Sequence, residues 1–174
     1  MRRCLWTACF VAAVAVLAVL WRPLPHAVPS PSPSDEFADF ILVDKSERRL
    51  ELHRDGAVIR RYEVALGGDP LGPKRAEGDQ RTPEGDYVID FRNPRSRYHL
   101  SLHIDYPNAA DRVESERLAV PPGGDIFIHG LPNYWPANTA PKLDWTQGCI
   151  ALDNAEIEEI WRLVPDGTPI RIVP

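Results

Sequence analysis

From Phe40 onward the chain alternates apolar and polar positions in steps of two, the mark of half-buried strands. Ile41 and Val43, then Leu50 and Leu52, then Val58-Ile59 and Tyr62 to Leu66 mark successive strands, and the turn dipeptide Asp55-Gly56 separates the last two. This predicts an antiparallel meander. Gly67 to Gly85 is a long loop rich in Gly, Pro and charge, a length that in a compact domain points to function. Tyr87, Ile89 and Phe91 resume the alternation on a core-facing strand. A further strand puts Tyr98, Leu100, Leu102 and Ile104 on one face and His99, Ser101, His103 and Asp105 on a solvated one. Asp125 to His129 is a short apolar strand, and Leu131 to Trp145 has no periodicity and reads as a cleft-side loop. Ile150 to Leu152 is a strand, followed by the capping box Asp153-x-x-Glu156 and by Ile157, Ile160, Trp161 and Val164 at helical spacing. Ile170 to Val173 closes the pattern as a final strand. The fold class is mainly β, a β-rich α+β domain with one amphipathic helix after Cys149.

The first residues follow another rule. Arg2 and Arg3 precede an uncharged run from Leu5 to Trp21, 17 residues, about 26 Å as a helix and just short of a hydrocarbon core of about 30 Å. The best candidate cleavage site, with Pro25 at −3 and Ala27 at −1, is poor, which favours an uncleaved anchor over a removed signal peptide. Arginines ahead of the run set the N-terminus inside. The expected organisation is a signal anchor or signal peptide at 1–22, a Pro/Ser-rich linker at 23–37 and one globular domain at 38–174. The domain would then lie outside the cytoplasmic membrane, held there by residues 5–21.

Composition narrows the class. Over 174 residues, 44% hydrophobic and 26% charged positions are those of a globular protein. A net charge of −5 gives no reason to expect a nucleic-acid partner. The glycines at 67, 68 and 72 lack phosphate-loop spacing.

The candidate chemistry sits between positions 129 and 149. His129 leaves an apolar strand directly into Gly130, and Cys149 stands between Gly148 and a second apolar run. A cysteine with a histidine suggests a thiol nucleophile and its base. A neighbouring imidazolium that lowered the thiol pKa from about 8.5 to about 7 would raise its thiolate fraction from a few per cent to about half. The backbone N–H groups of Gly148 and Cys149 are the expected oxyanion donors. Cys149 is the only cysteine outside the N-terminal segment, since Cys4 and Cys9 lie in or beside it; a buried inert thiol or an intermolecular bridge is the alternative use. His99 and His103 are about 13 Å apart along an extended strand, too far to share one ion, so no metal site is expected. Tyr134, Trp135 and Trp145 either pack beneath their loop or touch substrate.

These residues carry a resemblance. His129-Gly130 followed by Thr146-Gln147-Gly148-Cys149-Ile150 is similar to the His-Gly and Ser/Thr-x-Gly-Cys signature of the L,D-transpeptidase catalytic domain, the YkuD-like family. Arg81 to Tyr87 and Tyr98 to Asn108 resemble two further segments of it, so the likeness covers roughly 38 to 173. It implies a β-sandwich with one helix after the nucleophile, peptidoglycan stem peptides as substrate, and no metal or organic cofactor. Cys149 would form a thioester with a tetrapeptide stem, and a second stem's amine would resolve it into a 3→3 crosslink. His129 would activate the thiol, oriented by the Gly130 carbonyl, with Thr146 bracing the site. Gln147, His103 and Tyr106 would lie on the substrate side. Ala151 stands where many members have an arginine, which leaves the substrate carboxylate without an assigned partner among Arg81, Arg92, Arg95 and Arg97. Gln147 replaces a histidine found before Gly-Cys in others. Hydrolysis of the same stems, or a non-catalytic wall-binding module, are the competing outcomes.

Overall fold

The structure, a computed structural model, describes residues 37–135 and 143–174. The expected anchor, and the linker up to residue 36, lie outside the described residues. Among the described residues eight strands and two helices follow in chain order: β1 (Phe40–Asp44), β2 (Arg49–Arg54), β3 (Ala57–Glu63), β4 (Gly85–Ser96), β5 (His99–Ile104), α1 (Ala109–Leu118), β6 (Ile126–His129), β7 (Ile150–Ala151), α2 (Asn154–Leu163) and β8 (Pro169–Val173). Their order across the sheet is β3-β2-β1-β8-β4-β5-β6-β7. β1 runs parallel to β8 and β6 parallel to β7, and all other neighbours are antiparallel.

The 12-residue β4 belongs to two leaves. Its first residues pair with β8 and the remainder with β5, so one strand carries the chain from the meander to the leaf that ends in His129. The inward positions of both leaves form one apolar cluster, including Ile41, Leu52, Ile89, Leu102, Ile128 and Ile150. The amphipathic face of α2 closes it with Ile157 and Ile160, both fully buried. At the start of α2 the Glu156 carboxylate accepts the Asp153 N–H at 3.1 Å.

Three positions depart from the alternation. Phe91 is 45% exposed, because the β4–β5 register shifts between Ile89 and Phe91 and a bulge reverses which side chains face inward. The polar side of β5 is not a solvated face: Ser101 is buried, and His103 stacks 4.4 Å from the Phe91 ring. α1 was not expected. Its sequence has no apolar stripe and buries only Ser115, so what defines it is the N-cap Asn108, whose side chain accepts from Ala110 and Asp111.

Candidate active site

Strand alternation builds the floor of a cleft. In β6, Ile126 and Ile128 point into the core, which leaves Phe127 and His129 on the opposite side. Pairing sets Ser101 of β5 against His129, and Asn93 of β4 against Ser101. Above this row lies a cleft of about 400 Å³ into which His129, Cys149, Tyr98, Arg97 and Asp125 also face. β7 brings the cysteine in, since Ile150 pairs with Ile128 and so seats Cys149 at the end of the strand carrying the histidine.

The turn before Cys149 is held from within and from behind. Thr146 Oγ1 accepts the Gly148 N–H at 3.1 Å and donates to the Cys149 carbonyl at 2.7 Å. Gly148 has φ 125°, which L side chains rarely adopt, and a Cβ there would meet the Arg81 carbonyl oxygen at 2.5 Å. The loop that precedes β4 thus forms a wall behind the Gly148-Cys149 turn. The Gly68 N–H donates to the Thr146 carbonyl at 3.0 Å, and the Gly67 N–H to Thr82 Oγ1 at 3.1 Å. Buried Lys45 ties this loop to β1 by donating to the carbonyls of Gly72 and Thr82 and to the Glu84 carboxylate, at 2.6, 3.1 and 2.8 Å.

His129 is fixed in one tautomer. Its Nδ1 lies 2.7 Å from the Gly130 carbonyl, which can only accept, so Nδ1 carries the proton and Nε2 is the lone-pair nitrogen. The ring packs between Tyr98, 4.5 Å away, and Trp145, 5.8 Å away. That aromatic enclosure desolvates the imidazole and pushes its pKa down to about 4. Burial likewise pushes the Cys149 thiol up to about 11; the Asp125 carboxylate adds to the rise, while a backbone hydrogen bond from Phe127 and the charge of Lys74 oppose it. The sulfur donates to the Asp125 carbonyl at 3.6 Å.

Two expectations are corrected by this geometry. Both shifts run against a resting thiolate–imidazolium pair, because desolvation disfavours the charged form of each group. Gly148 offers no free oxyanion donor, because its N–H is already bound to Thr146.

The remaining predicted residues fall in several places. Trp145 packs on His129, and Trp135 on Trp145 at 5.0 Å. Tyr134 is 82% exposed beside them, and Gln147 is exposed two positions before Cys149. His103 does not line this cleft; its Nδ1 bonds to Asp90 at 2.6 Å, and it borders a separate depression with Asp105 and Arg112. Tyr106 is not on the substrate side either. It is a core residue, 3% exposed, whose hydroxyl donates to the Pro122 carbonyl. Sequence reasoning missed Tyr98, Asp125 and Asn133. The alternation places Tyr98 on one face with Leu100, Leu102 and Ile104 and singles out no role for it, and no pattern marks the other two.

Three comparisons bear on kinship. The L,D-transpeptidase catalytic domain family matches residues 38–172. The L,D-transpeptidase candidate YafK of Escherichia coli (strain K12) is 32% identical over 132 residues, covering 72% of this chain and 46% of that one. The helical cell shape determining protein Pgp2 of Campylobacter jejuni superposes with a TM-score of 0.60 at 28% identity, over 79% of this chain and 48% of that one. Bd1075 of Bdellovibrio bacteriovorus gives 0.57 at 28%, with the same coverage of both chains. The chain spans about half the length of each of these relatives.

Proposed function

The chain belongs to the L,D-transpeptidase catalytic domain family, and from that premise we propose that it is a cysteine acyltransferase acting on peptidoglycan stem peptides outside the cytoplasmic membrane. The observation that carries the reading is the shared cleft, which Cys149 enters as a thiol and His129 enters with an unprotonated Nε2. With a pKa of about 11, only about one thiol in ten thousand is ionised at pH 7, so a base must take the proton as the sulfur attacks. His129 Nε2 is that base.

In the proposed reaction Cys149 Sγ bonds to the carbonyl carbon of the third stem residue as its proton passes to Nε2. The tetrahedral intermediate collapses, the amine of the terminal D-alanine leaves with that proton, and a thioester remains. We assign the Cys149 N–H as an oxyanion donor, since Gly148 is committed. A second stem's side-chain amine then attacks, gives a proton to Nε2, and forms the 3→3 link as sulfur departs and is reprotonated. The apolar run 5–21 is the proposed anchor. The cell-shape role in the name of Pgp2 fits an enzyme that alters wall crosslinking.

The test is digestion of purified wall by wild type beside Cys149→Ala. New 3→3 dimers with wild type alone are expected. Trimmed tripeptides in their place would make water the acceptor, and no change in the wall would overturn the enzymatic reading.

A further inference from the structure

Among the described residues that line the cleft, Arg97 is the one cation and Asp125 the one anion. Neither side chain makes an ion pair or hydrogen bond among the described residues, and both are exposed. The other candidate arginines are committed elsewhere or lie outside the cleft. Arg81 grips Asp69 through two nitrogens at 3.0 and 2.9 Å, and Arg92 binds Asp166 at 2.8 Å with its guanidinium 5.3 Å from the Trp161 ring. Arg95 does not line the cleft.

The backbone beneath Arg97 is unusually well fixed for a hairpin tip. Asn133 reaches across to it three times: its N–H donates to the Arg97 carbonyl at 3.0 Å, its Nδ2 to the Ser96 carbonyl at 3.0 Å, and its Oδ1 accepts the His99 N–H at 2.8 Å. Ser96 Oγ accepts the Tyr98 N–H at 3.0 Å, and the Gly130 N–H donates to the Tyr98 carbonyl at 3.1 Å. The same tip that carries Tyr98 against His129 therefore holds Arg97 at a set position relative to the dyad. Asp125 is placed on the sulfur's side, because its carbonyl is the one that Sγ touches.

We infer that Arg97 and Asp125 form a charge-selecting pair, Arg97 taking a carboxylate and Asp125 an ammonium of the bound acyl donor, so that the cleft selects a zwitterionic peptide end. A guanidinium can grip a carboxylate through two parallel N–H···O bonds, and the fixed backbone beneath Arg97 sets where in the cleft that contact forms. The peptide assignment rests on the acyltransferase reading; the charge selection at the thiol does not. In that assignment Arg97 meets the terminal D-alanine carboxylate, adjacent to the attacked carbonyl, and Asp125 meets the free amino group at the end of the diamino acid.

The experiment uses the full-length protein and two alkylating probes of nearly equal size, iodoacetate and iodoacetamide, with modification at Cys149 followed by peptide mass because Cys4 and Cys9 are also present. Arg97→Gln is expected to lower the iodoacetate-to-iodoacetamide rate ratio roughly three- to ten-fold, the scale of one partly hydrated charge contact. Arg97→Lys should keep most of it, and Asp125→Asn should raise it. Asn133→Ala, which frees the platform, provides a second route to the same loss if Arg97→Gln folds poorly. An unchanged ratio in correctly folded Arg97→Gln and Asn133→Ala overturns the pair. Tetrapeptide donors with a free or an amidated C-terminus separate the two readings. A charge-dependent ratio without acylation by either donor sinks the stem-peptide reading and keeps the pair. Turnover without preference for the free carboxylate, together with an unchanged ratio, sinks the pair alone.

Discussion

The carbonyl oxygen of Arg81 lies 2.5 Å from where a side chain on Gly148 would begin. The residue before Cys149 is therefore glycine for two reasons, a left-handed backbone and a wall with no room. Gly148→Ala should destabilise the domain by about 2–4 kcal/mol, combining backbone strain with a contact that only a shift of the loop can relieve. Thermal unfolding reads the loss, and a melting point within 2 °C or so of wild type would show that the loop yields freely.

The state of the dyad predicts a pH profile. With the thiol at about 11, the alkylation rate of Cys149 by iodoacetamide should rise about ten-fold per pH unit from 7 to 9, with no plateau below 9. A plateau near pH 7 would mean a preformed thiolate. His129→Ala should leave this alkylation nearly unchanged while lowering acyl transfer by about 10²- to 10⁴-fold.

His129 also links stability to acid. Its folded pKa of about 4 lies below an unfolded value near 6.5, so between those values the unfolded chain binds the extra proton. The contribution is whole above pH 6.5 and is lost as pH falls toward 4, about 3 kcal/mol in all. Urea denaturation of wild type and His129→Phe at pH 7 and pH 4.5 should show the wild type losing stability by the greater amount. Equal losses would contradict the desolvated imidazole.

Thr146→Val removes both bonds of the hydroxyl that closes the turn and strands the Gly148 N–H. A cost of about 1–3 kcal/mol is expected, together with slower acyl transfer, and Thr146→Ser should restore most of both. Full activity of the valine variant would remove Thr146 from the site.

Lys45 is buried with Glu84 and two loop carbonyls as partners. Lys45→Met strands the carboxylate and should destabilise the domain by about 3–5 kcal/mol, and Glu84→Gln in the same chain should recover part of that. Comparison of the two melting curves checks it.

How far the sequence reaches is visible in these residues. The meander, β6 and α2 are legible because each obeys one periodicity and has turn or cap chemistry at its ends. The convergence of His129 and Cys149 is legible through motif likeness. Phe91 misleads, because a bulge leaves no sign in the alternation that it reverses. α1 is hidden, because a helix with one buried serine has no apolar stripe. Asn133 is invisible for a different reason: its three bonds join segments more than 30 positions apart, and nothing local reports them. The neutral dyad could not be foreseen either, since it depends on the Tyr98 and Trp145 rings that enclose His129, and pKa values follow packing rather than order in the chain.

The protonated sulfur has a bearing on durability. Peroxide and stray disulfides react with thiolate, and a thiol that gives up its proton only in the course of attack offers them almost none. Cys149, free among the described residues, is thereby spared the sulfenic acid that a permanently ionised neighbour of an imidazolium would accumulate in oxidising surroundings.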